Sequence, residues 1–467
     1  MSTHIKKIQR SAARRGLILN HDDVAYVMDI YARNEEQRVE EETSSTKKRS
    51  VDTKTNAKTK GKMIDQTKEM ITETNRTIVF IHGMFGWGYN TENITRKDEE
   101  DCEVSYFPIG DIRRRTSSTC IYLDVGIASS DHDRACEAYA QIRGRTVDYG
   151  EEHAKRCGHL RFGREYTRPL VKIWDEKHPI VLIGHSFGGN TCLELAHLIS
   201  QDYWSEGTSS SYIHSVSCIC SPLRGCSLPF RLGLNSTTTS KSVIRNCSFS
   251  HFLSTAFGLI FKIQLEYPSL FPRSVFDVKS DQWANVTTWR NVFNRDHVFW
   301  TSRDNTLSQV TPSYRHDLHS RRKHYNWHKI AVVPDVVKPL SLRREVVPFG
   351  SFAILGLWML RRRKRLRIFL VATILLAMTG LIAIGKRVRR YLFHKCLVHP
   401  FLRLCAMGCD GPSDGIVEIS SCKYTHNDEN EWHVIRGPKD SSHCLGTWAS
   451  IHSGKMYTEL FRYLCNL

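Results

Sequence analysis

In Gly184-His185-Ser186-Phe187-Gly188-Gly189 a serine is flanked at two residues on either side by glycine. A serine hydroxyl attacks an ester only when a nearby base takes its proton, and an imidazole oriented by a carboxylate is the usual base. The hexapeptide follows an apolar run, Pro179 to Ile183, rich in β-branched residues. It precedes Asn190 to Ser200, where Leu193, Ala196 and Leu198-Ile199 suit one helical face. Strand, G-x-S-x-G, helix is the setting of a nucleophile elbow. Its turn is so tight that side chains beside the serine would collide, hence the glycines. Such an elbow lifts the hydroxyl clear of the sheet and turns the next backbone N–H toward an oxyanion. Ser186 is therefore the expected nucleophile.

The elements that must hold this serine read as an alternation. Thr77-Ile-Val-Phe-Ile81 predicts a buried strand, followed by His82-Gly-Met-Phe-Gly-Trp-Gly88. In α/β-hydrolases a loop after an early strand supplies one oxyanion donor and the residue after the nucleophile supplies the other. These positions fall on the Met84 and Phe187 amides. From Thr77 onward strand-like and helix-like segments alternate, which predicts a mostly parallel sheet with helices on both faces; joined to the elbow, this is the expectation of an α/β-hydrolase fold. Ile213 to Cys220 reads as the strand after the elbow helix, and Ser221 to Gly225 as a loop at the carboxyl edge of the sheet, where ligands bind in such folds. Residues 226 to 300 read as irregular, suited to a lid or cap over an acyl site.

The chain has 467 residues and a net charge of +18, with the basic residues concentrated rather than spread. Residues 1–75 are rich in Lys, Arg, Glu, Thr and Ser and predict a disordered or loosely helical tail. Residues 76–325 read as the first part of the core, with zinc and lid regions; 326–400 as an insertion; 401–467 as the second part of the core. The insertion carries two apolar runs, 346–360 and 368–385, each followed by a basic cluster. Its second run is about long enough for a spanning helix. That placement of charge favours a membrane or lipid surface over nucleic acid, and neither zinc-finger spacing nor an RNA-recognition signature is present. The expected location is thus membrane-associated, single- or double-pass, or a lid helix lying flat on the bilayer. No cleavable signal is visible in the first residues. The 15 cysteines lack regular spacing, so no disulfide framework can be deduced.

The catalytic order Ser, acid, His leaves only later residues as partners for Ser186. Asp410 and Asp414, each in an Asp-Gly pair, are the acids to consider. His433, His443 and His452 all precede the predicted last helix, Met456 to Leu467.

Ser129 to Gly163 includes Asp133-Arg-Ala-Cys-Glu137, Asp148-Tyr-Gly150 and His159-Leu-Arg-Phe-Gly163. This stretch resembles the Bacillus/Staphylococcus-type triacylglycerol lipases, closely over about residues 77–200 and again at Asp281-Gln-Trp283 and Val298-Phe-Trp-Thr-Ser302. The resemblance returns weakly at Asp414-Gly-Ile-Val417 and around His443. It implies Asp414 as the acid and His443 as the base. It also implies a structural Zn²⁺ on Asp133, His153, His159 and Asp281, a closed shell of two imidazoles and two carboxylates. His153 and His159 are six residues apart, so the chain must turn between them, and Gly158 permits that. The family's calcium site uses acidic residues near the histidine, whereas Cys444 to Ser450 contains none, so calcium is not expected. No nucleotide or redox cofactor is indicated.

These features imply a lipase that hydrolyses carboxylic esters of lipids, acylglycerols in particular, through an acyl-serine. A thioesterase or acyltransferase on the same elbow is the alternative, and a membrane scaffold that lost turnover is the alternative of another class.

Overall fold

The computed structural model describes residues 76–88, 105–235, 243–270, 273, 277–285, 288–294, 296–320, 325–339, 398–407, 409–425 and 428–467. The 1–75 tail and the 346–360 and 368–385 runs lie outside these residues.

Strands β1 (Ile78–Ile81), β2 (Cys120–Leu123), β5 (Ile180–His185), β6 (Ile213–Ile219), β7 (His328–Val333) and β8 (Trp432–Arg436) form one sheet in the order β2-β1-β5-β6-β7-β8. Every neighbouring pair in it is parallel. β3 (Thr146–Asp148) and β4 (Phe162–Glu165) form a separate antiparallel pair.

The sheet separates two layers of core because alternate side chains of a strand face opposite ways. Val79 and Ile81 of β1 join one core with Leu182 of β5 and Val216 of β6. Ile78 and Phe80 join the other with Val181 and Ile183. Helices α1 (Asp131–Arg143) and α3 (Phe187–Ser200) cover the first face, through Tyr139, Ile142 and Leu195. Helix α5 (Ser453–Cys465) covers the second with Met456, Tyr457, Leu460 and Phe461, an i, i+1, i+4, i+5 stripe. Between α1 and α3 lies the short helix α2 (Glu151–Cys157). This is the expected α/β-hydrolase architecture, a mostly parallel sheet with helices on both faces.

Three expectations need correction. First, β7 lies within the expected 326–400 insertion yet pairs with both β6 and β8. The strand is short and begins with His328 and Lys329, which hides its apolar half. The core therefore continues past residue 326. Second, the expected irregular stretch contains the 18-residue helix α4 (Phe249–Glu266), capped by the Ser248 side chain, which accepts from the His251 amide. Its Ser and Thr residues resemble a loop by composition, but apolar residues stand on most sides of the helix. Third, among the described residues no helix is long and apolar enough to cross a membrane. α4 has the length, but Lys262, Gln264 and Glu266 interrupt its last turn. The membrane-associated, single- or double-pass location is withdrawn.

Candidate active site

β5 delivers the chain to Ser186 at the carboxyl edge of the sheet, and α3 begins at the next residue. Ser186 has φ 54° and ψ −130°, a conformation that costs of order 1–3 kcal/mol and persists because its surroundings impose it. The glycines at the crossing have no alternative. A Cβ on Gly184 would stand 2.3 Å from the Gly188 backbone, and one on Gly188 would stand 2.2 Å from the Ile81 carbonyl oxygen.

His443 reaches this serine from the loop after β8. Its Nε2 is 2.8 Å from Ser186 Oγ and its Nδ1 is 2.8 Å from Asp414 Oδ2. Asp414 is buried, and its other oxygen accepts from the Ile416 and Val417 amides at 3.0 and 2.8 Å. The His443 amide donates to the Asp414 carbonyl, locking the two loops together. Three residues spread over 258 positions of sequence thus meet in one hydrogen-bonded line. The competing residues lie elsewhere: Asp410 is exposed beside Arg231, and His433 is exposed and stacks on Tyr463.

The Met84 and Phe187 amides have no acceptor among the described residues. The loop that carries Met84 is fixed from below. Arg134, fully buried on α1, donates to the His82 carbonyl, to the Gly126 carbonyl at 2.8 Å and to Thr191 Oγ1 at 3.0 Å. Its guanidinium lies 5.5 Å from the centre of the Phe187 ring. One side chain therefore ties the Met84 loop to α3.

A second relay passes behind the histidine. The Gly83 amide donates to Tyr106 Oη at 3.0 Å, and Tyr106 Oη stands 2.6 Å from His185 Nδ1. His185 Nε2 stands 2.7 Å from the His443 carbonyl. A carbonyl only accepts, so Nε2 carries the proton, Nδ1 accepts, and Tyr106 donates. Burial, with the neighbouring His443, pushes His185 down to about 3, which keeps the ring neutral. Sequence reading passed over Tyr106, Arg134 and His185. His185 lies within the Ser186 motif and Arg134 directly follows Asp133, whereas Tyr106 lies in neither motif and had no local signal.

A second cluster lies between α1, α2 and the loop after Ser302. Asp133, His153 and His159 meet here as expected, but Asp281 does not join them. It pairs with Arg164 at 2.8 Å and Arg273 at 3.0 Å. Asp304 takes the place instead: its Oδ2 is 3.4 Å from His153 Nε2 and 3.2 Å from His159 Nε2. Asp133 Oδ1 is 3.1 Å from His153 Nε2 and 3.8 Å from His159 Nε2. Asp304 lies two residues past Val298–Ser302, whereas Asp281, the position that the resemblance implies, opens the other stretch, Asp281-Gln-Trp283. Gly158 ends α2 with φ 81° and turns the chain to bring His159 back.

These donors fit a cation. Ligands at about 2.0–2.2 Å from a tetrahedral zinc stand about 3.3–3.6 Å apart, close to the distances here. His159 Nδ1 is 2.8 Å from the Leu160 carbonyl, so Nδ1 holds a proton there and Nε2 is the nitrogen left to ligate a metal that displaces its own proton. That Nε2 and Asp304 Oδ2 are both buried without a hydrogen bond. Burial lowers the pKa of both histidines, but the facing carboxylates outweigh it and raise His153 to about 12 and His159 to about 10. The cluster thus favours positive charge. The group His153, Cys157, His159 and Asp304 has donor atoms that all lie within 4.8 Å of one another.

Residues 74–222 match the family described as "Lipase-like, C-terminal domain". A lipase of Staphylococcus hyicus is 32% identical over 121 residues, 26% of this chain and 18% of that protein. Lipase 1 of Staphylococcus aureus (strain MRSA252) is 31% identical over 160 residues, 31% of this chain and 21% of that protein. The matched segments thus span about a fifth of these relatives' lengths. Among solved structures, EstA from Clostridium botulinum aligns over 86% of this chain and 90% of its own, with TM-score 0.51 and 21% identity. Staphylococcus hyicus lipase aligns over 85% and 97%, with TM-score 0.51 and 17% identity. The resemblance to Staphylococcus-type lipases is borne out over residues 74–222, and the solved structures share the fold.

Proposed function

We propose that this chain is a serine lipase, hydrolysing carboxylic esters of lipids through an acyl-enzyme. The observation that carries the reading is the continuous line from Ser186 Oγ through His443 to Asp414, with 2.8 Å at each contact. As the ester carbonyl is attacked, the Ser186 proton passes to His443 Nε2, and Asp414 holds the Nδ1 proton and steadies the imidazolium. The carbonyl oxygen gains charge between the Met84 and Phe187 amides, which are fixed in place and need no reorganisation. His443 then returns its proton to the departing alcohol, leaving an acyl-Ser186. Water, deprotonated by the same imidazole, attacks the acyl carbon, and the acid leaves as Ser186 regains its proton.

A lipid substrate is supported by the apolar rim. Phe85, next to Met84, stacks on Phe257 of α4 with ring centres 5.1 Å apart, which places α4 beside the oxyanion loop. That helix presents Phe249 and Phe252 to solvent, and Trp289 and Phe293 lie exposed on a neighbouring helix that packs against it. An acyl chain reaching Ser186 would find this rim, and α4 would act as its lid.

The second cluster would hold a divalent zinc ion on His153, His159 and Asp304, with Asp133 and Cys157 both facing the remaining position. Zinc there supplies a structural crosslink between α1, α2 and the loop after Ser302. Fluorophosphonate labelling with peptide mapping tests the catalytic reading. Label should attach to Ser186 and be lost in His443→Ala with the fold intact; label confined to other residues would overturn it.

A further inference from the structure

We propose that Cys157 is a thiolate ligand of the metal in the second cluster, taking the fourth position in preference to Asp133. The inference rests on the metal reading above and concerns which residues complete its shell. Cys157 follows His153 by four residues on α2, so helical geometry puts the two side chains on one face. The Cys157 sulfur lies 3.6 Å from His153 Nε2. A sulfur at about 2.3 Å and a nitrogen at about 2.0 Å from one tetrahedral zinc would stand about 3.5 Å apart. The sulfur also joins His159 Nε2 and Asp304 Oδ2 in a set of donors all within 4.8 Å of one another. Two of those atoms, His159 Nε2 and Asp304 Oδ2, are buried without a hydrogen bond.

Asp133 is the more committed residue. Its Oδ2 accepts from Gln282 Nε2 at 2.8 Å, and its amide is held by Ser130 Oγ as the N-cap of α1. Its Oδ1 is well placed toward His153 but 3.8 Å from His159 Nε2. Cys157 forms no disulfide, its sulfur contacts His153 Nε2 inside the cluster itself, and thiolate is among the ligands that select zinc. On binding, the thiol proton leaves to solvent and the Zn–S bond forms, with no change of oxidation state. Cys157, His153, His159 and Asp304 then close the shell, and Asp133 remains the hydrogen-bonded partner of Gln282 at its edge.

The test is cobalt substitution of the full chain, with metal content measured alongside the spectrum. The expected result is one Co²⁺ per chain with an intense near-ultraviolet sulfur-to-cobalt band. Cys157→Ser should still bind Co²⁺ but lose that band. Because Cys157→Ser could weaken folding, alkylation of the unaltered protein gives a second reading. Iodoacetamide should modify Cys157 at least tenfold faster after chelation than in the zinc-loaded protein. One bound Co²⁺ without the band would overturn the proposal and leave the metal site standing on Asp133; a band that survives Cys157→Ser would overturn it by assigning the sulfur to another cysteine. A chain that binds no metal at all would overturn both.

Discussion

The ring of His185 holds the main chain of His443: its Nε2 lies 2.7 Å from the His443 carbonyl oxygen while Tyr106 Oη sits 2.6 Å from its Nδ1. The residue preceding the nucleophile thereby positions the loop of the base. His185→Leu keeps the volume and removes both hydrogen bonds, leaving a buried carbonyl without its donor and the Tyr106 hydroxyl with only the Gly83 amide, a cost of about 1–3 kcal/mol. Where part of that loss falls on the reacting geometry, kcat should drop about 10- to 100-fold with KM little changed. Steady-state ester hydrolysis checks this; an unaltered kcat would show that the contact is only structural.

The same ring makes stability depend on pH. Burial and His443 lower the His185 pKa to about 3, against about 6.5 when unfolded. A lowered histidine stabilises the fold above the unfolded pKa, because only the unfolded chain takes the proton below it. Stability from His185 should therefore be complete above pH 6.5 and lost as pH falls toward 3, by about 1.4 kcal/mol per pH unit per proton. Urea unfolding at pH 7, 6 and 5 should show this decline, with a slope shallower by about one proton in His185→Leu. Parallel slopes in the two proteins would contradict it.

Arg134 gathers the His82 and Gly126 carbonyls and Thr191 at the base of the oxyanion loop. Arg134→Met fills part of the space but leaves those carbonyls unpaired in the interior. The expected destabilisation is about 3–5 kcal/mol, measured by denaturant unfolding. A loss below about 1 kcal/mol would mean that water or another group replaces the guanidinium.

The two acids near the metal cluster have opposite predicted phenotypes. Asp304→Ala removes a donor 3.2 Å from His159 Nε2 and should lose most of the bound zinc and lower the melting temperature. Asp281→Ala breaks only the ion pairs with Arg164 and Arg273 and should retain one zinc per chain. Elemental analysis of the purified proteins distinguishes them; the reverse pattern would restore Asp281 as the ligand.

Why Asp304 escaped sequence reading is a matter of distance along the chain. The elbow was legible because a glycine-flanked serine between an apolar run and an amphipathic segment is a local pattern. Asp414 and His443 were legible only by order and resemblance, since nothing local marks one Asp-Gly pair or one histidine among 22. β7 was missed because two polar residues open a strand of six. Asp304, Arg134 and Tyr106 act through contacts that a fold creates and that no window of sequence contains. Cys157 lay in view at four residues from His153, a spacing that becomes meaningful only once α2 is known to face the cluster.

The most direct measurement is hydrolysis of p-nitrophenyl esters of short and long acyl chains by the zinc-loaded protein, beside Ser186→Ala. Turnover should be greater on long chains and fall by at least about 10³-fold in Ser186→Ala. Turnover that survives in Ser186→Ala, or no turnover by the folded, zinc-loaded protein on any ester, would contradict the serine-lipase reading.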